Sequence, residues 1–342
     1  MPQIYLSLDA DTLLVGWGQE TRAAAEADLD PALPRFFVTD FFLKEPRPWR
    51  QFSHHRYMPW KVLSLSPPLF HPVDWEVLGK EIFAENFYAL QNAFDQAEWK
   101  KAVPYAIAHS RTLAPVDFTK RCLARARLFS SSRYFYSYSD GEMGFLGLTP
   151  EILFTINANT PTLLSTMALA GTVQRAKSRA LSDKLRKEHA WTVEGIKRSL
   201  SPFGQISESV CSLLDLGQLQ HLYTPLYLNL NTPAEFIHFV KALHPTPALG
   251  VYPKEKGEAW LKSYDAKLPR QFFGSPIGCV DPITGRSVCY VAIRQVAWGH
   301  FGLHIFAGCG VTKESDLKEE WDELLLKLRS IHSLFFSESA SC

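Results

Sequence analysis

Carboxylates and one lysine crowd the C-terminal part of this chain, where Glu319-Glu320-Trp321-Asp322-Glu323 is followed by Lys327. On a helix Glu320, Glu323 and Lys327 fall at i, i+3 and i+7 and share one face. Such a face is either solvated charge or half of a hard-cation site, because Mg2+ takes one or two carboxylates together with substrate oxygens. A second acidic helix, Lys184-Leu-Arg-Lys-Glu188-His189, could supply the other half. Gly308-Cys309-Gly310 follows an apolar strand and is either an anion nest or a tight turn into a helix. Arg294 lies inside the apolar run Val291-Ala-Ile-Arg-Gln-Val296, where a guanidinium must face outward or be paired and is well shaped to hold a carboxylate. Thr149-Pro150-Glu151 and Leu169-Ala170-Gly171-Thr172 end strand-like runs with small residues, the first with a single acid.

The elements that must position these groups are a mixture of strands and helices. Ile4–Leu8 and Leu13–Trp17 read as a hairpin around Asp9-Ala10-Asp11. Prolines at 46, 48, 59, 67, 68 and 72 punctuate a region of strands and surface loops. Apolar residues recur at helical spacing from Trp75 to Ala97. Runs at Tyr134–Tyr138, Phe145–Leu148, Ile152–Ile156 and Thr162–Thr166 predict strands, and Ser182–Ser199 predicts a helix. Ser287–Val296 and Phe301–Phe306 predict a strand pair turning at Trp298-Gly299-His300. The last helix is expected over Lys318–Phe335 with Ser315 as its N-cap. The regular beat of a nucleotide-binding βαβ sheet is missing, and so are the Gly-rich phosphate-loop motifs. The expected class is α+β, with large, mostly antiparallel sheets flanked by helices.

Composition narrows the function classes. With 36 Lys+Arg against 35 Asp+Glu in 342 residues, the net charge is +1, which gives no support for binding nucleic acid or a membrane surface through bulk charge. Hydrophobic residues at 46% and charged residues at 21% describe a globular chain with a large core. The 13% aromatic content is high and is assigned to core packing. The six cysteines form no CxxC pair and are expected mostly as buried thiols. The N-terminus has no basic region ahead of its apolar stretch, and no apolar run approaches bilayer length, so a cytoplasmic location is expected.

Taken in order, the motifs form a set. Thr149-Pro-Glu151, Leu169-Ala-Gly-Thr172, Lys187-Glu-His-Ala-Trp-Thr-Val-Glu194, Gln220-His-Leu222, Ala242-Leu-His-Pro-Thr-Pro-Ala-Leu-Gly250, Arg270 to Gly278, Ala292-Ile-Arg294, Ala307-Gly-Cys-Gly310 and Ser315-Asp316 with Glu320-Trp-Asp-Glu323 follow one another. This order resembles the chorismate-utilising enzymes, the superfamily of isochorismate, salicylate, anthranilate and aminodeoxychorismate synthases. The resemblance runs from Lys100 to Leu334. It divides the chain into a variable N-terminal part of the same fold, 1–95, and a chorismate-binding catalytic region, 96–337.

The resemblance implies an anthranilate synthase component I-like fold and a set of roles. Lys101 of Lys101-Ala-Val103 would be the general base and Glu151 the general acid, with Thr149 where the family's S-P-E motif has Ser. Glu188 and Glu323, assisted by Glu320 and supported by Lys327, would hold Mg2+ against the ring carboxylate. Arg294 and the backbone at Gly308 and Gly310 would hold the pyruvyl carboxylate, while Gly171, Thr172 and His221 line the ring pocket. The base has two possible anchors, because aligning the family's K-V-V-x-[AS]-R strand on Ser110-Arg111 would place Ala106 there. Lys101 is preferred on its interval to Glu151. Phe273 stands where the family has a Tyr whose hydroxyl meets substrate, which removes a hydrogen bond. Ala170 argues against the common aminodeoxychorismate synthases, and Lys101 favours the water-adding branch, which needs no glutamine amidotransferase subunit. The expected activity is isomerisation of chorismate to isochorismate, feeding menaquinone or siderophore synthesis. Salicylate synthase, or a chorismate-binding homologue with lost turnover, stays open.

Overall fold

The computed structural model describes residues 1–60, 74–96, 98–129, 133–157, 159–174, 182–217 and 219–336. Asp9 closes the first hairpin, its Oδ1 accepting the N–H groups of Asp11 and Thr12 at 2.9 and 2.8 Å. Strand Gln3–Ser7 thereby pairs with Thr12–Ala23, in register Ile4 to Gly16. Gln3–Ser7 then pairs on its other side with Tyr134–Ser139, and Arg35–Val38 pairs with Pro276–Asp281. The N-terminal strands are thus woven into one antiparallel sheet of 17 strands among the described residues. A three-stranded sheet of Val251–Tyr252, Lys101–Ala102 and Val311–Thr312 lies apart from it.

Among the described residues six α-helices flank the strands: α1 (Lys80–Asp95), α2 (Phe118–Ala126), α3 (Asp183–Leu200), α4 (Phe236–Leu243), α5 (Glu258–Lys267) and α6 (Leu317–Phe336). Strand alternation sends residues into two apolar cores. From the paired strands Tyr105–Ser110 and Gly302–Gly308, Tyr105, Ile107 and Phe306 enter the core that α3 and α4 cover. Ala106, Ala108, Ile305 and Ala307 enter the core of α1, α2 and α6. In α1, Phe83, Phe87, Leu90 and Phe94 form the buried stripe. The aromatic residues belong largely to these cores: Phe236 packs against Phe37, Trp49 and Phe154 with centroids 5.4, 5.3 and 4.8 Å apart. Each such side chain contributes roughly 1.5–3 kcal/mol on burial.

Several boundaries differ from expectation. The helix expected from Trp75 begins at Lys80, because Gly79 takes φ +94° and Val77 and Leu78 pair with Ala108 and Ile107 as a strand. The single strand expected over Ser287–Val296 is two, Arg286–Val291 and Gln295–Gly299, broken where Arg294 takes φ +51°. Trp298 and Gly299 stay paired with Leu303 and Gly302, so the turn is His300-Phe301. Asp316 rather than Ser315 caps α6, accepting from the N–H groups of Lys318 and Glu319 at 2.9 and 3.0 Å. Ser315 instead accepts from the Thr312 N–H. Cys122, Cys279, Cys289 and Cys309 are buried and Cys211 is exposed. Pro67, Pro68, Pro72 and Cys342 lie outside the described residues. Among the described residues no helix is long and apolar enough to cross a membrane.

Candidate active site

Glu151 sits where the strands Gly144–Thr149 and Ile152–Asn157 meet. Its N–H donates to the Thr149 hydroxyl at 3.1 Å, so threonine makes the local turn at the position where the motif has Ser. The carboxyl is 4% exposed and accepts from the Thr246 hydroxyl at 3.4 Å. Burial pushes its pKa up to about 7, against the opposing pull of the Lys101 charge and the Thr246 bond. A carboxyl poised there can be a proton donor near neutrality.

Ser182 caps α3, accepting the Leu185 N–H at 3.3 Å, and the helix turns Glu188, His189 and Thr192 inward. Lys101 enters from the three-stranded sheet and is fully buried. Its Nζ lies 3.0 Å from Glu188 Oε1 and donates to the Thr192 hydroxyl at 3.4 Å. Gly310 makes this approach possible, because a Cβ there would collide with Glu188 Oε1 and stand 3.0 Å from Lys101 Cε. Ala106, the other anchor for the base, packs in the core that α6 covers.

The acidic face of α6 is not solvated charge. Glu320 is 1% exposed and accepts from the Lys184 ammonium of α3. Glu323 accepts from Lys327 at 2.7 Å, and Lys327 also donates to the Gly308 carbonyl at 2.7 Å. Burial works against ionised Glu323, but Lys327, Lys184 and the Thr172 hydroxyl outweigh it and hold its carboxyl below the usual range. Burial and the neighbouring Glu323 push Glu320 the other way, with Lys184 opposing. The two carboxylates therefore divide, one favoured as an anion and the other not.

Gly171, at φ +79°, forms a bulge in strand Thr160–Gln174, placing Thr172 opposite His221. Arg294 Nη2 lies 3.1 Å from His221 Nε2. Burial pulls the Arg294 guanidinium down to about 9, with Arg133 adding repulsion. Burial, then Arg294, Lys327 and Arg133, keep His221 neutral well below its usual range. Phe273 stacks on Phe306 with centroids 5.5 Å apart and planes at 12°.

These groups surround a cleft of about 700 Å³, counting the space open to solvent. Glu151, Gly171, Thr172, Glu188 and His221 line one part of it. Phe273, Arg294, Gly308, Gly310 and Lys327 line the rest, with Leu249, Phe306 and Ile331 as apolar wall. Lys101, Glu320 and Glu323 are not wall residues; Lys101 pairs with Glu188 and Glu323 with Lys327, which are, whereas Glu320 pairs with Lys184, which is not. Sequence reasoning passed over Thr246 and Lys184 as working groups, although both lie in stretches singled out above. The apolar wall carries no chemical signature by which a sequence could reveal it.

An α+β shell thus brings a buried acid, Glu151, and a guanidinium, Arg294, to one cleft, with the buried Lys101 paired to Glu188 of its wall. The family model described as "Chorismate binding enzyme" matches residues 73–335, and the chain belongs to that family. It is 33% identical over 220 residues to the salicylate biosynthesis isochorismate synthase of Pseudomonas aeruginosa, covering 61% of this chain and 44% of that one. To isochorismate synthase MenF of Haemophilus influenzae it is 30% identical over 205 residues, 57% of this chain and 46% of that one. The chain thus spans about half the length of the curated relatives it matches. Its fold is that of MenF from Escherichia coli, with TM-score 0.79 at 20% identity over 98% of this chain and 89% of that one. Anthranilate synthase component I from Streptococcus pneumoniae shares it, with TM-score 0.74 at 14% identity over 95% and 93%.

Proposed function

We propose that this protein is an isochorismate synthase, adding water at C2 of the chorismate ring and releasing the C4 hydroxyl. The observation that carries the reading is the buried Glu151, held protonated up to about pH 7 in the cleft that Glu188 and its partner Lys101 also serve. Glu151 protonates the departing hydroxyl, and Lys101 takes the proton of the incoming water. Arg294 forks the enolpyruvyl carboxylate, aided by the backbone at Gly308 and Gly310, and Gly171, Thr172 and His221 bound the ring. Because water rather than ammonia is the nucleophile, the enzyme works without a glutamine amidotransferase subunit.

The carboxylates suit Mg2+. Among the described residues no three His, Cys, Asp or Glu are grouped to hold a metal on their own. Yet Lys184 feels Glu320, Glu188 and Glu323 together, an all-oxygen and anionic donor set. A hard cation that draws its remaining ligands from substrate fits two of them. Glu188 and Glu323 would hold it, with Glu320 assisting, and bound there it would neutralise the ring carboxylate. Glu188 is also the counter-ion of Lys101 through Oε1, so its second oxygen would serve the cation.

The test is to incubate the purified protein with chorismate and Mg2+ and resolve the products by chromatography. Isochorismate is expected, with turnover lost in Lys101→Ala and after treatment with EDTA, and restored by added Mg2+. Salicylate with pyruvate would move the assignment to salicylate synthase. No product, with Lys101→Ala binding chorismate as tightly as wild type, would leave only a binding protein, in which Phe273 supplies no hydroxyl.

A further inference from the structure

Lys254 has no part in the roles assigned above, yet it closes a segment that carries several of them. Its Nζ donates to the carbonyls of Lys241 and Ala242 at 3.3 and 3.1 Å, and to that of His244. Lys241 and Ala242 lie in the last turn of α4 and His244 is its C-cap, so the ammonium satisfies carbonyls that a helix leaves unbonded at its end. An ammonium has three N–H groups, and here each has a carbonyl to meet. Burial draws its pKa down to about 8, with Glu255 opposing, which leaves it charged at neutral pH.

The bond to His244 joins residues ten apart and makes a closed loop of 244–254. Inside that loop a turn folds on the Thr246 carbonyl, which accepts from the N–H groups of Leu249 and Gly250 at 3.0 and 2.9 Å. Thr246 turns its hydroxyl to Glu151, while Ala248 and Leu249 are cleft wall. Beyond the turn, Tyr252 pairs with Lys101, and its carbonyl accepts from the Lys100 N–H at 2.8 Å. One loop therefore carries the donor to the acid, two wall residues and the strand partner of Lys101, and Lys254 joins its two ends. A loop released at one end regains conformational freedom, and the groups along it lose their fixed places.

We propose that Lys254 is a positioning residue for Glu151, locking the 244–254 loop so that the Thr246 hydroxyl stays on the acid and Ala248 and Leu249 stay in the wall. The inference rests on the proposed function for the part Glu151 plays in turnover. Besides burial, Lys101 and Thr246 are the groups that act on the Glu151 carboxyl, and both favour its ionised form. Losing the Thr246 bond removes one of them and moves ionisation to higher pH.

Lys254→Met removes the three donors and nearly keeps the length of the side chain, and Thr246→Val removes the hydroxyl alone. The experiment follows the Glu151 carboxyl by 13C NMR in full-length protein labelled at glutamate, its signal assigned by its loss in Glu151→Gln, beside steady-state kinetics with chorismate and thermal melting. In Lys254→Met the carboxyl is expected to ionise at higher pH than in wild type, as in Thr246→Val, with no further movement in the double variant. The same variant is expected to lose about tenfold in kcat/KM. A Lys254→Met protein that melts lower but keeps the wild-type Glu151 titration overturns the proposal, because Lys254 is then a helix cap only. A double variant whose movement is the sum of the two singles overturns it as well. Should Lys254→Met not fold, Lys254→Gln is read by the same titration, and failure of both to fold overturns the proposal in favour of a purely structural lysine. The titration needs no turnover, so wild-type protein that makes nothing from chorismate overturns the proposed function, a result separate from what the carboxyl reports.

Discussion

Glu151 shows how one buried group ties activity to stability. Its carboxyl ionises near 4.5 when exposed and near 7 in the fold. Folding therefore takes up a proton between those values, and the stability contributed by this site falls as pH rises from 4.5 through 7. Glutamine at this position has no proton to lose. Glu151→Gln is expected to lower kcat by roughly 10²–10⁴, as removal of a general acid does. It is also expected to raise the melting temperature relative to wild type at pH 8 and to leave it nearly unchanged at pH 5, measured by scanning calorimetry at both pH values. In wild type, kcat/KM should decline above about pH 7 as the acid loses its proton. Equal melting shifts at both pH values would mean that Glu151 is not held protonated. The sequence offered Glu151 as a lone acid after a small residue; its raised pKa comes from strands remote in sequence that shut out water.

At the scale of elements, α3 and α6 are joined by buried charge. Lys184 reaches from the first turn of α3 to Glu320, whose side chain is 2% exposed. Breaking such a pair from one side leaves an uncompensated carboxylate, at a cost of about 3–5 kcal/mol. Lys184→Met should therefore destabilise the protein by about that amount in urea unfolding, whereas Lys184→Met with Glu320→Gln should recover most of it. A double variant no more stable than the single would mean that the helices are held by packing alone. The i, i+3, i+7 spacing showed which carboxylates share a face. It left open whether that face meets water, because the partner of Glu320, Lys184 of α3, lies 136 residues away along the chain. The strand around Arg294 was misread for a similar reason: a left-handed residue in an apolar run leaves periodicity intact when the residue is not glycine or proline.

For the whole molecule, the consequence of the weave is that the first 60 residues are part of the site's foundation. Phe41 accepts from His244 Nε2 at 2.6 Å through its carbonyl, and its ring lies 3.7 Å from the buried Arg270 guanidinium. Strand Arg35–Val38 pairs with Pro276–Asp281, which begins just beyond Phe273. A fragment beginning at residue 96 loses these partners and exposes sheet edges, so it should fail to show a cooperative melting transition, while the full chain unfolds in one. A fragment that melts cooperatively and retains chorismate turnover would show that the N-terminal strands are dispensable.

Residue types and their order in the chain pointed to the family and named Glu151, the α6 carboxylates and Arg294 as candidates, because side chains of these types in a fixed order are what a sequence displays directly. Tertiary structure decided which of them are buried, which ammonium pairs with which carboxylate, and that Lys101 on a separate small sheet meets Glu188 of the cleft wall. The reason is physical: pKa, counter-ion and room for a Cβ are properties of what surrounds a residue in space, and most of those neighbours lie far along the chain.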